Sequence, residues 1–163
     1  MSMTIGISTE MVMAEVRALA AAHNLVTDAG RRVVDLFAVL NEDHVMTFGQ
    51  LLTDSYTDVA GEMMEWVESL DDPGVVTGSG AAAILEVTLS ASRITERDAS
   101  ECLPMVRRLW ERAIAMGMMA GITGVADPAG SAEWRRLRHE AVGEMRRQLT
   151  GMTDRKARIR AGF

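Results

Sequence analysis

Asp54, Asp58, Glu62 and Glu65 stand four, four and three residues apart in TDSYTDVAGEMMEWVESLDD (53–72), with no lysine or arginine among them. On a helix that spacing sets four carboxylates along one flank. Such a row can hold a hard cation, meet a basic partner, or only keep a surface wet. A helical di-iron centre mixes carboxylates with imidazoles through Glu-x-x-His pairs. None of His23, His44 and His139 has a glutamate three residues before it. Cys102 is the only cysteine, too few for structural zinc, and no stretch offers the alternating Asp/Asn, Gly and closing Glu of an EF-hand loop. The expectation is no metal and no cofactor, with the carboxylates turned to a basic protein surface.

Thr77, Gly78, Ser79 and Gly80 form a second candidate, an anion loop. Glycines let the backbone approach closely, and a helix starting at Ser79 would aim free N–H groups at a phosphate. The Lys-Ser/Thr that closes a P-loop is missing. The run GVVTGSGAAAILEV (74–87) resembles the glycine-rich third motif of the small-molecule kinases that include galactokinase and mevalonate kinase. That resemblance implies a small phosphate- or ligand-binding enzyme centred on Thr77–Gly80. Those kinases also carry a large N-terminal domain holding the nucleotide loop, for which this chain has no room. Nucleophilic chemistry has less support. Cys102 lies near an expected helix start, where a thiolate is favoured, but no histidine is near it in sequence. Ser79 lacks the Gly-x-Ser-x-Gly elbow. No catalytic residue is named.

The third pattern is basic. Arg135, Arg136, Arg138, Arg146, Arg147, Arg155, Lys156, Arg158 and Arg160 crowd the C-terminal end. Up to Gly130 the chain has 19 carboxylates against 8 arginines, a charge of -11, whereas residues 131–163 carry 9 basic and 4 acidic groups, +5. An acidic body with a basic end suits contact within the molecule or between molecules. Nucleic-acid binding through these arginines is the alternative, weakened because no aromatic stands among the tail arginines before Phe163.

The elements that would carry these groups read as helices. Of 163 residues, 48 % are hydrophobic and 25 % charged; proline and aromatics are scarce while Ala, Leu, Met, Glu and Arg abound, a mix that favours helix over sheet. Ser8 or Thr9 caps a first helix with Val12, Val16, Leu19 and Ala22 or His23 inward. Thr27-Asp28 starts a second, with Val33, Phe37 and Leu40, and Asn41–His44 turns. The third is the clearest. Phe48, Leu52, Tyr56, Val59, Met63, Trp66 and Leu70 repeat at three and four residues as one apolar seam, which Asp71–Gly74 ends. Leu85, Val87 and Leu89 alternate with polar residues as a strand would. A lone strand among helices would have no partner, so 83–90 is expected to be helical. Asp98 and Glu101 resemble a capping box, with Pro104 in the first turn and Leu103, Val106, Trp110, Ile114 and Gly117 inward. GITGVADPAG (121–130) is read as a loop. Ser131 caps a last helix with Trp134, Leu137, Ala141, Met145 and Leu149 inward, and Gly151 ends it.

These elements predict an all-α fold, a single-domain helical bundle of five or six helices over 1–150 with a basic, mobile tail over 151–163. No leader segment is expected, and the longest charge-free apolar run, Ala113–Ala126, is short of the roughly 20 residues that span a bilayer. With a lone cysteine, the expectation is a cytoplasmic protein that does not enter the membrane. Thirteen methionines suit core filling and, at Met64 with some of Met116, Met118 and Met119, an adaptable groove. The function these features support is non-enzymatic: an adaptor, assembly subunit or chaperone that binds a protein partner or a second copy of itself. It would do so through the Phe48–Leu70 seam, the Asp54/Asp58/Glu62/Glu65 flank and the arginine-rich end.

Overall fold

The computed structural model describes the backbone of residues 2–27, 45–73, 83–90, 96–124 and 127–161, with side chains over 2–23, 49–73, 83–90, 101–124 and 127–150. Among the described residues there are three strands and four helices: β1 (Ser2–Ser8), α1 (Thr9–Thr27), α2 (Val45–Glu62), β2 (Val67–Leu70), β3 (Ile84–Ser90), α3 (Glu96–Thr123) and α4 (Pro128–Ala161). The strands make one antiparallel sheet in the order β1-β3-β2. This overturns the all-α bundle of five or six helices. The expected second helix over Val33–Leu40, the Asn41–His44 turn and the Thr77–Gly80 loop lie outside the described residues.

The sheet exists because two alternating segments find each other. In β1, Met3, Ile5 and Ile7 are buried between exposed or half-buried Ser2, Thr4, Gly6 and Ser8. In β3, Leu85, Val87 and Leu89 are buried between Ile84, Glu86, Thr88 and Ser90. Their register is continuous from Ser2↔Ser90 to Ser8↔Ile84, so both apolar sets share one face. The strand at 83–90, expected to lack a partner, therefore has two. β2 takes its other side, with Val67 opposite Leu89 and Leu70 opposite Val87, and a bulge between Val67 and Ser69. Asp71 extends that ladder: its N–H donates to the Glu86 carbonyl (3.0 Å) and its carboxylate accepts from the Glu86 N–H (2.8 Å).

The long third helix is corrected by the same pairing. It begins at Val45 and ends at Glu62; Met63–Trp66 turn and Val67–Leu70 become β2. Leu52, Tyr56, Val59 and Met63 are buried, but Leu70 is 44 % exposed. Ser8 does cap α1, accepting the Met11 N–H (3.3 Å), while Thr9 clamps the start of β3 by exchanging hydrogen bonds with Ala83 (2.9–3.1 Å).

α3 is the axis of the fold and packs against α1, α2, α4 and β1. It starts at Glu96, ahead of the Asp98 box, so Pro104 lies inside it and leaves the Ser100 carbonyl without its helical N–H. Val106, Trp110, Ile114, Met118 and Met119 are fully buried, so of the methionines expected at a groove Met116, Met118 and Met119 are buried, whereas Met64 is 73 % exposed. α3 continues through Gly121 to Thr123, and α4 starts three residues ahead of Ser131, with Asp127 as its cap: the Asp127 carboxylate accepts the Gly130 N–H (2.9 Å), and Pro128 takes the first helical position. Ser131 has another task, donating to the Ala120 carbonyl (2.8 Å) in the buried joint between α3 and α4. The backbone of α4 passes through Gly151 to Ala161. No described helix is long and apolar enough to cross a membrane.

Candidate functional site

The carboxylate row meets arginines of this same chain. α2 lies beside α4, and Arg138, whose side chain is 14 % exposed, bridges two of the row: Nη1 to Asp58 Oδ2 (2.8 Å) and Nη2 to Glu62 Oε1 (2.9 Å). The second Glu62 oxygen is 2.9 Å from His139 Nδ1. Arg146 donates to the Glu62 carbonyl and lies 3.6 Å from Glu65. Asp58 and Glu62 stand one helical turn apart at the end of α2 and Glu65 follows in the turn after it, so they meet Arg138, His139 and Arg146 in order along α4. Asp54 stays outside this clasp and accepts from Gln50 (2.9 Å). The apolar seam is equally internal: Leu52, Tyr56, Val59 and Met63 belong to the core, Trp66 is half-buried against it, and Phe48 lies on α2 with its side chain outside the described residues.

The other basic residues are divided. Arg136 pairs with Glu133 and Glu140 along α4, and Arg147 with Glu144. The hydrogen bond from Arg136 draws the Glu133 carboxyl below the usual range; those from Gln148 and Arg147 do the same for Glu144. Arg135 is exposed and makes no ion pair among the described residues. Arg155, Lys156, Arg158 and Arg160 lie on the α4 backbone, their side chains outside the described residues.

An open groove among the described residues lies at the far edge of the sheet. The Thr9 N–H reaches the Ala83 carbonyl, which sets the phase of the ladder: Met3, Ile5 and Ile7 turn their N–H and C=O groups to β3, and Thr4, Gly6 and Ser8 turn theirs away. Ser8 bears this out, because its N–H donates outward to Glu111 of α3 (3.1 Å). Glu111 is 8 % exposed and also accepts from Arg107 Nε (3.1 Å). Beyond that plug, Thr4, Ile5 and Gly6 border a groove of about 730 Å³, with Met11 and Glu15 of α1 at one side. α3 forms its other wall with Leu103, Pro104, Arg107, Arg108 and Arg112. Arg108 and Arg112 are exposed and make no ion pair among the described residues.

The two edges of the sheet are built differently. β2 is four residues long, bulged and carries Glu68, the devices that blunt an edge against further pairing. β1 is seven residues long, regular, and has neither charge nor proline. Of the groove residues, Leu103 and Pro104 were expected only as positions of a helix and none as a binding residue; the visible signals were the alternation in SMTIGIS and the Arg107-Arg108 pair. Among the described residues no group of three or more His, Cys, Asp or Glu is placed to hold a metal ion. Comparison of the chain with protein-family models, curated proteins and solved structures finds no match.

Proposed function

We propose that this chain is a non-enzymatic protein-binding module that takes an extended segment of a partner onto the outer edge of β1. The observation that carries this reading is the unblunted edge at Thr4–Gly6 beside a groove with apolar and basic walls. An added strand would bond the outward amides and carbonyls of Thr4 and Gly6 and set alternate side chains into the groove, the mode called β-augmentation. Met11, 55 % exposed, offers an adaptable apolar contact at its side. The α2–α4 clasp then serves the scaffold and not the partner.

The test uses the wild-type chain and Thr4→Pro as paired baits in the source cells. Proline at Thr4 removes an outward N–H and leaves the β1–β3 hydrogen bonds in place; circular dichroism checks that the fold persists. The expected partner is retained by the wild type and lost by the variant. In its purified complex, hydrogen exchange at the Thr4 and Gly6 amides slows, while Met3, Ile5 and Ile7 are protected before and after. A retained partner that protects a different surface would overturn the proposal.

A further inference from the structure

We infer that the segment accepted at β1 is acidic, with carboxylates at alternate positions that meet Arg108 and Arg112. The inference rests on strand addition as proposed above and names the chemistry of the occupant. Three arginines face the groove against two glutamates, and one of those, Glu111, is already held by Arg107 and the Ser8 N–H. Two cations without an ion pair among the described residues, in a molecule of net charge -6, call for carboxylates brought by the partner. Spacing supports the alternation. Arg108 and Arg112 are four residues apart on α3, a rise of about 6 Å, and side chains on one face of a strand repeat at about 6.7 Å.

The same charges argue against a second copy as occupant. Ser2–Ser8 contains no acidic residue, so a β1-to-β1 pairing would bring no carboxylate on the added strand to answer Arg108 and Arg112. Exposed β1 would then form a continuous six-stranded sheet with its arginines uncompensated. A polyanion without a strand backbone, such as single-stranded nucleic acid, could satisfy Arg108 and Arg112 but would leave the Thr4 and Gly6 amides unbonded.

The experiment titrates the full chain with three labelled eight-residue peptides, alternating Glu-Thr, Gln-Thr and Lys-Thr, and reads affinity by fluorescence anisotropy and site by hydrogen exchange. The Glu-Thr peptide is expected to bind about tenfold tighter than Gln-Thr, from two rim ion pairs, and to lose that advantage at high salt. In Arg108→Glu/Arg112→Glu the preference inverts towards Lys-Thr, with the fold unchanged because both side chains are exposed. Protection of Thr4 and Gly6 with equal affinity for Glu-Thr and Gln-Thr would overturn the acidic segment and leave strand addition standing. Peptides that never protect those amides would overturn both. A dimer that dissociates in Thr4→Pro and binds no peptide would replace the inference with self-pairing. An oligonucleotide that binds through Arg108 and Arg112 without protecting Thr4 or Gly6, where the Glu-Thr peptide does not bind, would also overturn it.

Discussion

Tyr56 shows how one residue ties the helical layer to the sheet. It is the only tyrosine in the chain, fully buried on α2. Burial and then the negative charge of Asp71 push its phenol up to about 12, and the buried hydroxyl has no hydrogen-bond partner among the described residues. Asp71 is also the residue that extends the β2–β3 ladder through Glu86. The neutral phenol is therefore favoured in the folded state and the phenolate is not. The folded protein holds the proton between about pH 10 and 12 where an unfolded chain releases it, so this contribution is full below pH 10 and declines as the pH rises. The slope is about 1 kcal/mol per pH unit across that window. Phenolate absorbance should rise only near pH 12 in the folded protein, and Tyr56→Phe should flatten the alkaline fall in stability relative to wild type. An absorbance step near pH 10 in folded protein would contradict this account.

At the scale of elements, close approach and competition decide the fold. α2 crosses α3 where Gly117 and Gly121 take the place of side chains. A Cβ at Gly117 would lie 2.9 Å from Ser55 Oγ and 3.1 Å from Ser55 Cβ, whereas at Gly121 the obstacle is the flexible end of Leu51. Gly117→Val should therefore cost about 1–3 kcal/mol, by forcing the helices apart, and more than Gly121→Ala; urea unfolding of both variants measures the difference. Competition explains what was legible in the sequence. The N-terminal cap of α1 and the helical spacing of Leu52–Met63 follow from local pattern and appear as read. The helix expected to reach Leu70 does not, because Val67 and Leu70 gain strand partners at Leu89 and Val87, and pairing overrides a helical period in a short segment. β3 was written in its own alternation. It was misjudged because its main partner lies at the other end of the chain, in Met3, Ile5 and Ile7. The groove was less legible still: its plug joins Ser8 to Glu111 across 103 residues, and no local spacing encodes such a meeting.

For the whole molecule, the question raised by the unpaired carboxylates is one of where the charge asymmetry closes. Part of it closes internally, through Asp58, Glu62 and Glu65 against Arg138, His139 and Arg146, while Arg108 and Arg112 at the groove are exposed and make no ion pair among the described residues. The two sets differ in burial, so salt should separate them. Arg138 is largely shielded from solvent, and its pair with Glu62 resists screening. Its removal leaves a partly buried carboxylate poorly paired, at a cost of about 1–3 kcal/mol. Arg138→Met keeps the aliphatic packing, Glu62→Gln keeps the shape, and the double variant should be less damaged than the sum by about 1 kcal/mol. That coupling, measured by urea unfolding, should persist in high salt, while binding of an acidic peptide at Arg108 and Arg112 weakens under the same conditions. A coupling near zero would mean that the Arg138–Glu62 pair adds nothing measurable to holding α2 against α4. A coupling that vanishes with salt would place Arg138 in the same exposed class as the groove arginines, and the division between scaffold charge and binding charge would fall.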